Sequence, residues 1–165
     1  MDPGERPVVL VVHGATTLPD GDTLDMTRFA ETIGDAARLH RRGNHAPLCF
    51  GYSMGGYAAL LLEAMSPGTL GGVVTLGTKF EWTPTDLGAA PLLTAQKLSA
   101  VRIPGRLAVG SRDDTVTVQE AGRIASVMAR ASAHVLPDIP HPIERVPATL
   151  VVDLIRDLAR DLPPS

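Results

Sequence analysis

Cysteine is nearly absent from this 165-residue chain: Cys49 is the only one. No intramolecular disulfide can form, and the composition suits a reducing, cytoplasmic setting. Aromatic residues make up 4%, too few for the stacking platforms on which nucleic-acid bases are held. No basic block occurs and the net charge is −3, so nucleic acid is set aside as a partner. No apolar run approaches the roughly 18 residues that a membrane span requires. The opening residues, Met1-Asp2-Pro3-Gly4-Glu5-Arg6, lack the charged-then-apolar order of a signal peptide. No helical pair of histidines or other compact ligand motif is present. A metal site would have to gather the dispersed His13, Asp113 and His141, and neither a metal nor a cofactor is expected. Repeats and low-complexity linkers are missing too.

What is present is ordinary globular material, 44% hydrophobic and 20% charged, in the amount expected of one domain covering residues 1–165. Pro7-Val8-Val9-Leu10-Val11-Val12 is a β-branched run of the kind found in strands covered on both faces. Phe29, Ile33, Ala36 and Ala37 then recur at helical spacing, followed by Arg38, Arg41 and Arg42, which suit a helix C-terminus, and by Gly43 as a stop. Ala46 to Phe50 is a second apolar run, and Tyr57 to Met65 is rich in alanine and leucine, ending near Ser66-Pro67-Gly68. Further strands are expected over 71–76, 106–109 and 133–136, with helices over about 92–98, 118–131 and from Pro147 onward. Strands alternating with helices predict an α/β sheet of about five mostly parallel strands with helices on both faces.

Gly51-Tyr52-Ser53-Met54-Gly55-Gly56 sits between a strand-like and a helix-like run. Glycines there leave room for a strained turn, and a helix starting at the turn would aim its free N–H groups at Ser53. In parallel sheets, ligands bind outside the carboxyl ends of the strands. His13, Ser53, Asp113 with Asp114, and His141 all fall at such ends. A serine hydroxyl needs a base to attack at neutral pH, the base is most often histidine, and the histidine needs a third group to orient it. A serine, an aspartate and a histidine occur here in that order, each after a strand, which is the triad order of α/β hydrolases. Of the remaining histidines, His134 falls within a strand, while His40 and His45 lie around a helix end.

On these segments the chain resembles the α/β-hydrolase superfamily. His13-Gly14 resembles the oxyanion loop, Gly51 to Gly56 the nucleophile elbow, Gly110-Ser111-Arg112-Asp113-Asp114 the segment carrying the acid, and His141 the catalytic histidine. Leu76 to Trp82 and His141 to Glu144 are similar to segments of bacterial hydrolases of that superfamily. The resemblance implies Ser53 as nucleophile, Asp113 (rather than Asp114) as acid and His141 as base. It assigns the backbone N–H groups of Ala15 and Met54 to the oxyanion, with His13 and Gly14 supporting them. Lys79, Phe80 and Trp82 either line the pocket or, for the two aromatics, belong to the core. Cys49 reads as a small buried hydrophobe.

Departures from the family pattern bear on function. Between His13 and Ser53 there is room for one helix, where the family has two helices and a strand. Residues 77–105 are too few for a large lid. A reduced sheet with an open site is therefore expected, favouring a small or reactive acyl substrate. The implied activity is hydrolysis of a carboxylic ester or thioester. The alternatives are acyl transfer through the same three residues and a non-catalytic binding protein on the same scaffold. A second copy of the chain is the partner a shortened sheet would use to cover exposed apolar surface.

Overall fold

A computed structural model describes residues 7–14, 25–80 and 93–162. In chain order the elements are β1 (Val9–Val12), α1 (Met26–Leu39), β2 (Leu48–Tyr52), α2 (Met54–Met65), β3 (Gly72–Leu76), α3 (Ala95–Ala100), β4 (Gly105–Arg112), α4 (Val118–Val127), β5 (Ala131–Pro140) and α5 (Ala148–Ala159), with a 3₁₀ turn at Ile143–Arg145 before α5. The five strands form one sheet in the order β1-β2-β3-β4-β5, every neighbouring pair parallel. The expected parallel α/β architecture is therefore present. Because every pair is parallel, all five carboxyl ends face one rim and all five amino ends the other.

Alternation along the strands divides the core in two. Leu10, Cys49, Val73 and Leu107 pack with Ala30 and Ile33 of α1, Leu61 of α2, Leu98 of α3 and Ala125 of α4. The other face carries Val9, Leu48, Phe50, Val74 and Ala108, which meet Leu154 and Leu158 of α5. Among the described residues, helices thus cover both faces, but unequally, four against one. Helix α5 packs on β3 and β4, and Val11, on its face of the edge strand β1, is 74% exposed. Every residue of β2 and β3 is buried, as their unbroken apolar runs require.

Helix starts follow local polar chemistry. Asp25 caps α1 by accepting from the Thr27 and Arg28 amides, and Thr94 and Thr117 cap α3 and α4. Helix α4 ends at Val127, short of the expected Ala131, because Met128 is already extended. Strand β5 runs further than the expected 133–136, reaching Pro140. Proline is tolerated there because β5 is an edge strand, with a ladder on one side only. A register shift between Gly110 and Arg112 accommodates the extension, and Asp138, at φ 58°, donates its amide to Ser111 Oγ at 2.9 Å. This added length delivers His141 to the site.

Two buried charges carry structural weight. Arg106 on β4 donates to Asp157 and Asp161 of the α5 segment, at 2.7 Å each, and so ties that helix to the sheet. Glu63, near the end of α2, accepts from the amides of Gly68 and Leu70 at 2.9 and 2.5 Å. Cys49 is buried, and burial pushes its thiol up to about 12, so it is inert packing at neutral pH. Among the described residues no helix is long and apolar enough to cross a membrane.

Burial raises the Glu63 carboxyl above its ordinary value of 4.5, with the backbone amides opposing the shift. The folded chain then holds that proton more tightly than the unfolded chain. Stability contributed at this position is present at acid pH and falls as pH rises through the raised value. Urea unfolding of wild type and Glu63→Gln across that range should show the wild-type advantage shrinking as pH rises; a growing advantage would mean that the amides outweigh burial.

Candidate active site

The turn between β2 and α2 is strained at its tip. Ser53 has φ 51° and ψ −121°, a conformation that side-chain-bearing residues rarely adopt. Three contacts hold it there. Its amide donates to the Leu76 carbonyl at 2.9 Å, its carbonyl accepts from Thr78 Oγ1 at 2.9 Å, and the same carbonyl begins the hydrogen bonding of α2 through Gly56. The Ser53 side chain caps nothing. Its hydroxyl makes no hydrogen bond with any described residue, which leaves it free for chemistry.

The strand ends bring other predicted residues to the same rim. Gly14 passes so close to the elbow that a Cβ there would lie 2.7 Å from the Met54 amide nitrogen and 2.9 Å from Ser53 Cβ. Residue 14 must therefore be glycine for the loop after β1 to lie beside the Met54 N–H. Ala15 lies outside the described residues. His13 stands at the end of β1 with its ring 5.3 Å from that of Tyr52.

At the ends of β4 and β5, Asp113 and His141 meet directly. His141 Nδ1 lies 2.9 and 3.1 Å from the two Asp113 carboxylate oxygens. The Asp113 side chain is 2% exposed and His141 18%. Asp113 Oδ1 also accepts from the Thr115 and Val116 amides at 2.9 and 2.8 Å, which hold the carboxylate in one orientation. Facing a carboxylate, Nδ1 carries the proton, and Nε2 presents its lone pair. The neighbouring Asp114 is exposed and, among the described residues, bonds Thr115; Asp113, not Asp114, contacts His141.

Sequence reasoning misses three residues of this assembly. Tyr52 donates its hydroxyl to the His141 carbonyl at 3.0 Å, and its ring lies between those of His13 and His141, 5.4 Å from the latter. Burial raises the Tyr52 phenol, which keeps it a donor. Gly77, at φ 56°, forms the floor: a Cβ there would stand 3.1 Å from both Asp113 Oδ2 and the His141 ring. Thr78 supports the elbow as described. Each lies in a motif segment, yet only proximity in space reveals its part. Phe80 belongs to the core, and Trp82 lies outside the described residues. Among the described residues no group of three or more metal-ligating side chains gathers, so His13, Asp113 and His141 do not form a metal centre.

No family model matches this sequence, and no curated protein matches it. Solved structures do resemble its fold. An α/β hydrolase from a metagenome of Mar Chica lagoon sediments superposes with a TM-score of 0.74 at 15% identity, over 96% of this chain and 92% of that one. A thermophilic esterase from Thermogutta terrifontis gives 0.73 at 15%, over 95% and 90%. A serine hydrolase involved in carbazole degradation gives 0.74 at 11%, over 94% and 91%.

Two substitutions probe the geometry. In Asp113→Asn the amide NH₂ should face Nδ1 and drive the ring proton to Nε2, a tautomer switch visible in the ¹⁵N shifts of His141; an unchanged spectrum would refute the contact. Tyr52→Phe should cost about 1 kcal/mol in urea unfolding, the worth of one hydrogen bond.

Proposed function

Taking as premise the α/β-hydrolase fold that this chain has, we propose that it is a serine hydrolase acting on a small carboxylic ester or thioester. Ser53 Oγ attacks the acyl carbonyl while His141 Nε2 takes its proton. Negative charge gathers on the carbonyl oxygen, and in this reading the Met54 N–H, at the start of α2, receives it, with Ala15 as the second donor. His141 returns the proton to the departing alcohol or thiol, leaving an acyl-serine. Water, deprotonated by the same nitrogen, attacks the acyl carbon, and the carboxylic acid departs from regenerated Ser53. Asp113 holds the imidazole with Nε2 free and stabilises the imidazolium. No cofactor enters any step. A lone buried thiol fits a reducing compartment, and on that ground we assign the chain to the cytoplasm.

The observation that supports this reading most is the Asp113–His141 contact at 2.9 Å, on the same sheet rim as a serine held at positive φ. Strain at a non-glycine residue persists only where the surroundings enforce it. One further fact favours a second reading. Ser53 and His141 share no hydrogen bond in the described residues, as a non-catalytic binding protein on this scaffold would permit. Catalytic hydrogen bonds often tighten only when substrate arrives, so the two readings separate in an assay.

A fluorophosphonate probe should label wild type, and short-chain nitrophenyl esters should be hydrolysed. Ser53→Ala should abolish labelling and lower turnover roughly a thousandfold or more. Labelling that survives the substitution would overturn Ser53 as nucleophile. Absence of labelling and turnover in folded wild type would favour the binding protein.

A further inference from the structure

The rim opposite Ser53 carries a second concentration of chemistry. A cavity of about 360 Å³ opens among the amino ends of the strands, within the size range of small-molecule sites. A five-residue strand such as β2 separates the two rims by roughly 16 Å. Four arginines line the cavity: Arg41 and Arg42 after α1, Arg102 before β4, and Arg130 before β5. In a chain of net charge −3 with 15 lysines and arginines, such a gathering does not follow from overall basicity.

The balance of charge inside the cavity is one-sided. Among the described residues Glu63 is the only acidic one lining it, and both of its oxygens already accept from backbone amides. Elsewhere Arg38, Arg106, Arg156 and Arg160 each pair with an aspartate. Arg41 and Arg130 instead donate to backbone carbonyls, of Gly68 at 3.0 Å and Asp161 at 2.9 Å. Those bonds orient the guanidiniums without neutralising them, and each retains further N–H donors. Arg42 and Arg102 have no carboxylate partner among the described residues. The turn bearing Arg42 is itself held, by paired backbone bonds between Arg42 and His45 at 3.1 and 2.8 Å. Asn44 and His45 add polar groups to the lining, and Val8, Pro47, Ile103, Pro104 and Leu162 form an apolar wall.

We propose that this cavity binds a small organic phosphate, its phosphoryl oxygens on the arginines and its organic part against the apolar wall. Arginine forks match phosphate oxygens in pairs, and a dianion with three terminal oxygens can engage several forks where a carboxylate engages fewer. A bare inorganic ion would leave the apolar wall unused. The inference is independent of the acyl-transfer reading, since the two sites share no residue.

Calorimetric titration of the full chain with phenyl phosphate, inorganic phosphate and benzoate tests it. Phenyl phosphate should bind tightest, exceeding both others by roughly tenfold. The double variant Arg42→Gln, Arg102→Gln should weaken phenyl phosphate binding by a similar roughly tenfold factor, with thermal unfolding and any ester turnover unchanged. Both side chains are exposed, so the fold should tolerate their loss. Ser53→Ala should bind phenyl phosphate as wild type does, which separates this cavity from the opposite rim. No binding of phenyl phosphate, equal binding by benzoate, or undiminished affinity in the double variant would each overturn the proposal.

Discussion

The strained backbone at Ser53 is the constraint on which the rest of this structure depends. Holding one non-glycine residue at φ 51° costs on the order of 1–3 kcal/mol, and the residue would relax if its neighbours allowed it. They do not. The Leu76 carbonyl takes its amide, Thr78 takes its carbonyl, and the loop at Gly14 closes over the far side at a distance that admits no side chain. These restraints come from β1 and β3, the strands on either side of β2, so the elbow is set by parallel pairing across three strands together with the turn's own glycines, where a Cβ at Gly51 would lie 2.5 Å from Gly56.

The strict chain order of the sheet extends the same logic. With every strand parallel, each carboxyl end delivers residues to one rim: His13 and Gly14, then Ser53, Gly77, Asp113 and His141. Each amino end contributes to the other rim, where the unpaired arginines collect. The two ends differ in chemistry as well as position. At the carboxyl rim, a buried carboxylate is matched to one imidazole and backbone amides. At the amino rim, positive charges outnumber the one acidic residue among the described lining, and that residue is already hydrogen-bonded.

Periodicity made the strands and helices legible, because β-branched runs and helical spacing report burial directly. Ser53, Asp113 and His141 were legible for another reason: each is a chemically distinctive residue next to a strand end. What stayed hidden was long-range or displaced by a local rule. Pro137 and Pro140 look like strand breakers, and only an edge position with a register shift lets β5 continue past them. Tyr52 reads as a motif filler until its hydroxyl is seen on a carbonyl 89 positions away. Gly77 reads as a strand end until the dyad is found resting on it. The arginine cavity draws on segments dispersed from Arg41 to Arg130, none of them a basic run, so no sequence window contains it.

The open edge of the sheet leaves this arrangement whole, for a geometric reason. Strand β1 lacks cover on one side: Val11 stands open on the face that α5 covers further along, over β3 and β4. Every group described around the elbow and the dyad is instead anchored by β2 to β5 or by the inner side of the β1 loop. Strand β2 and strand β3 are fully buried, and Arg106 ties α5 to β4 from beneath. The sheet is open at one edge, while β2, which delivers Ser53, keeps a paired strand on each side.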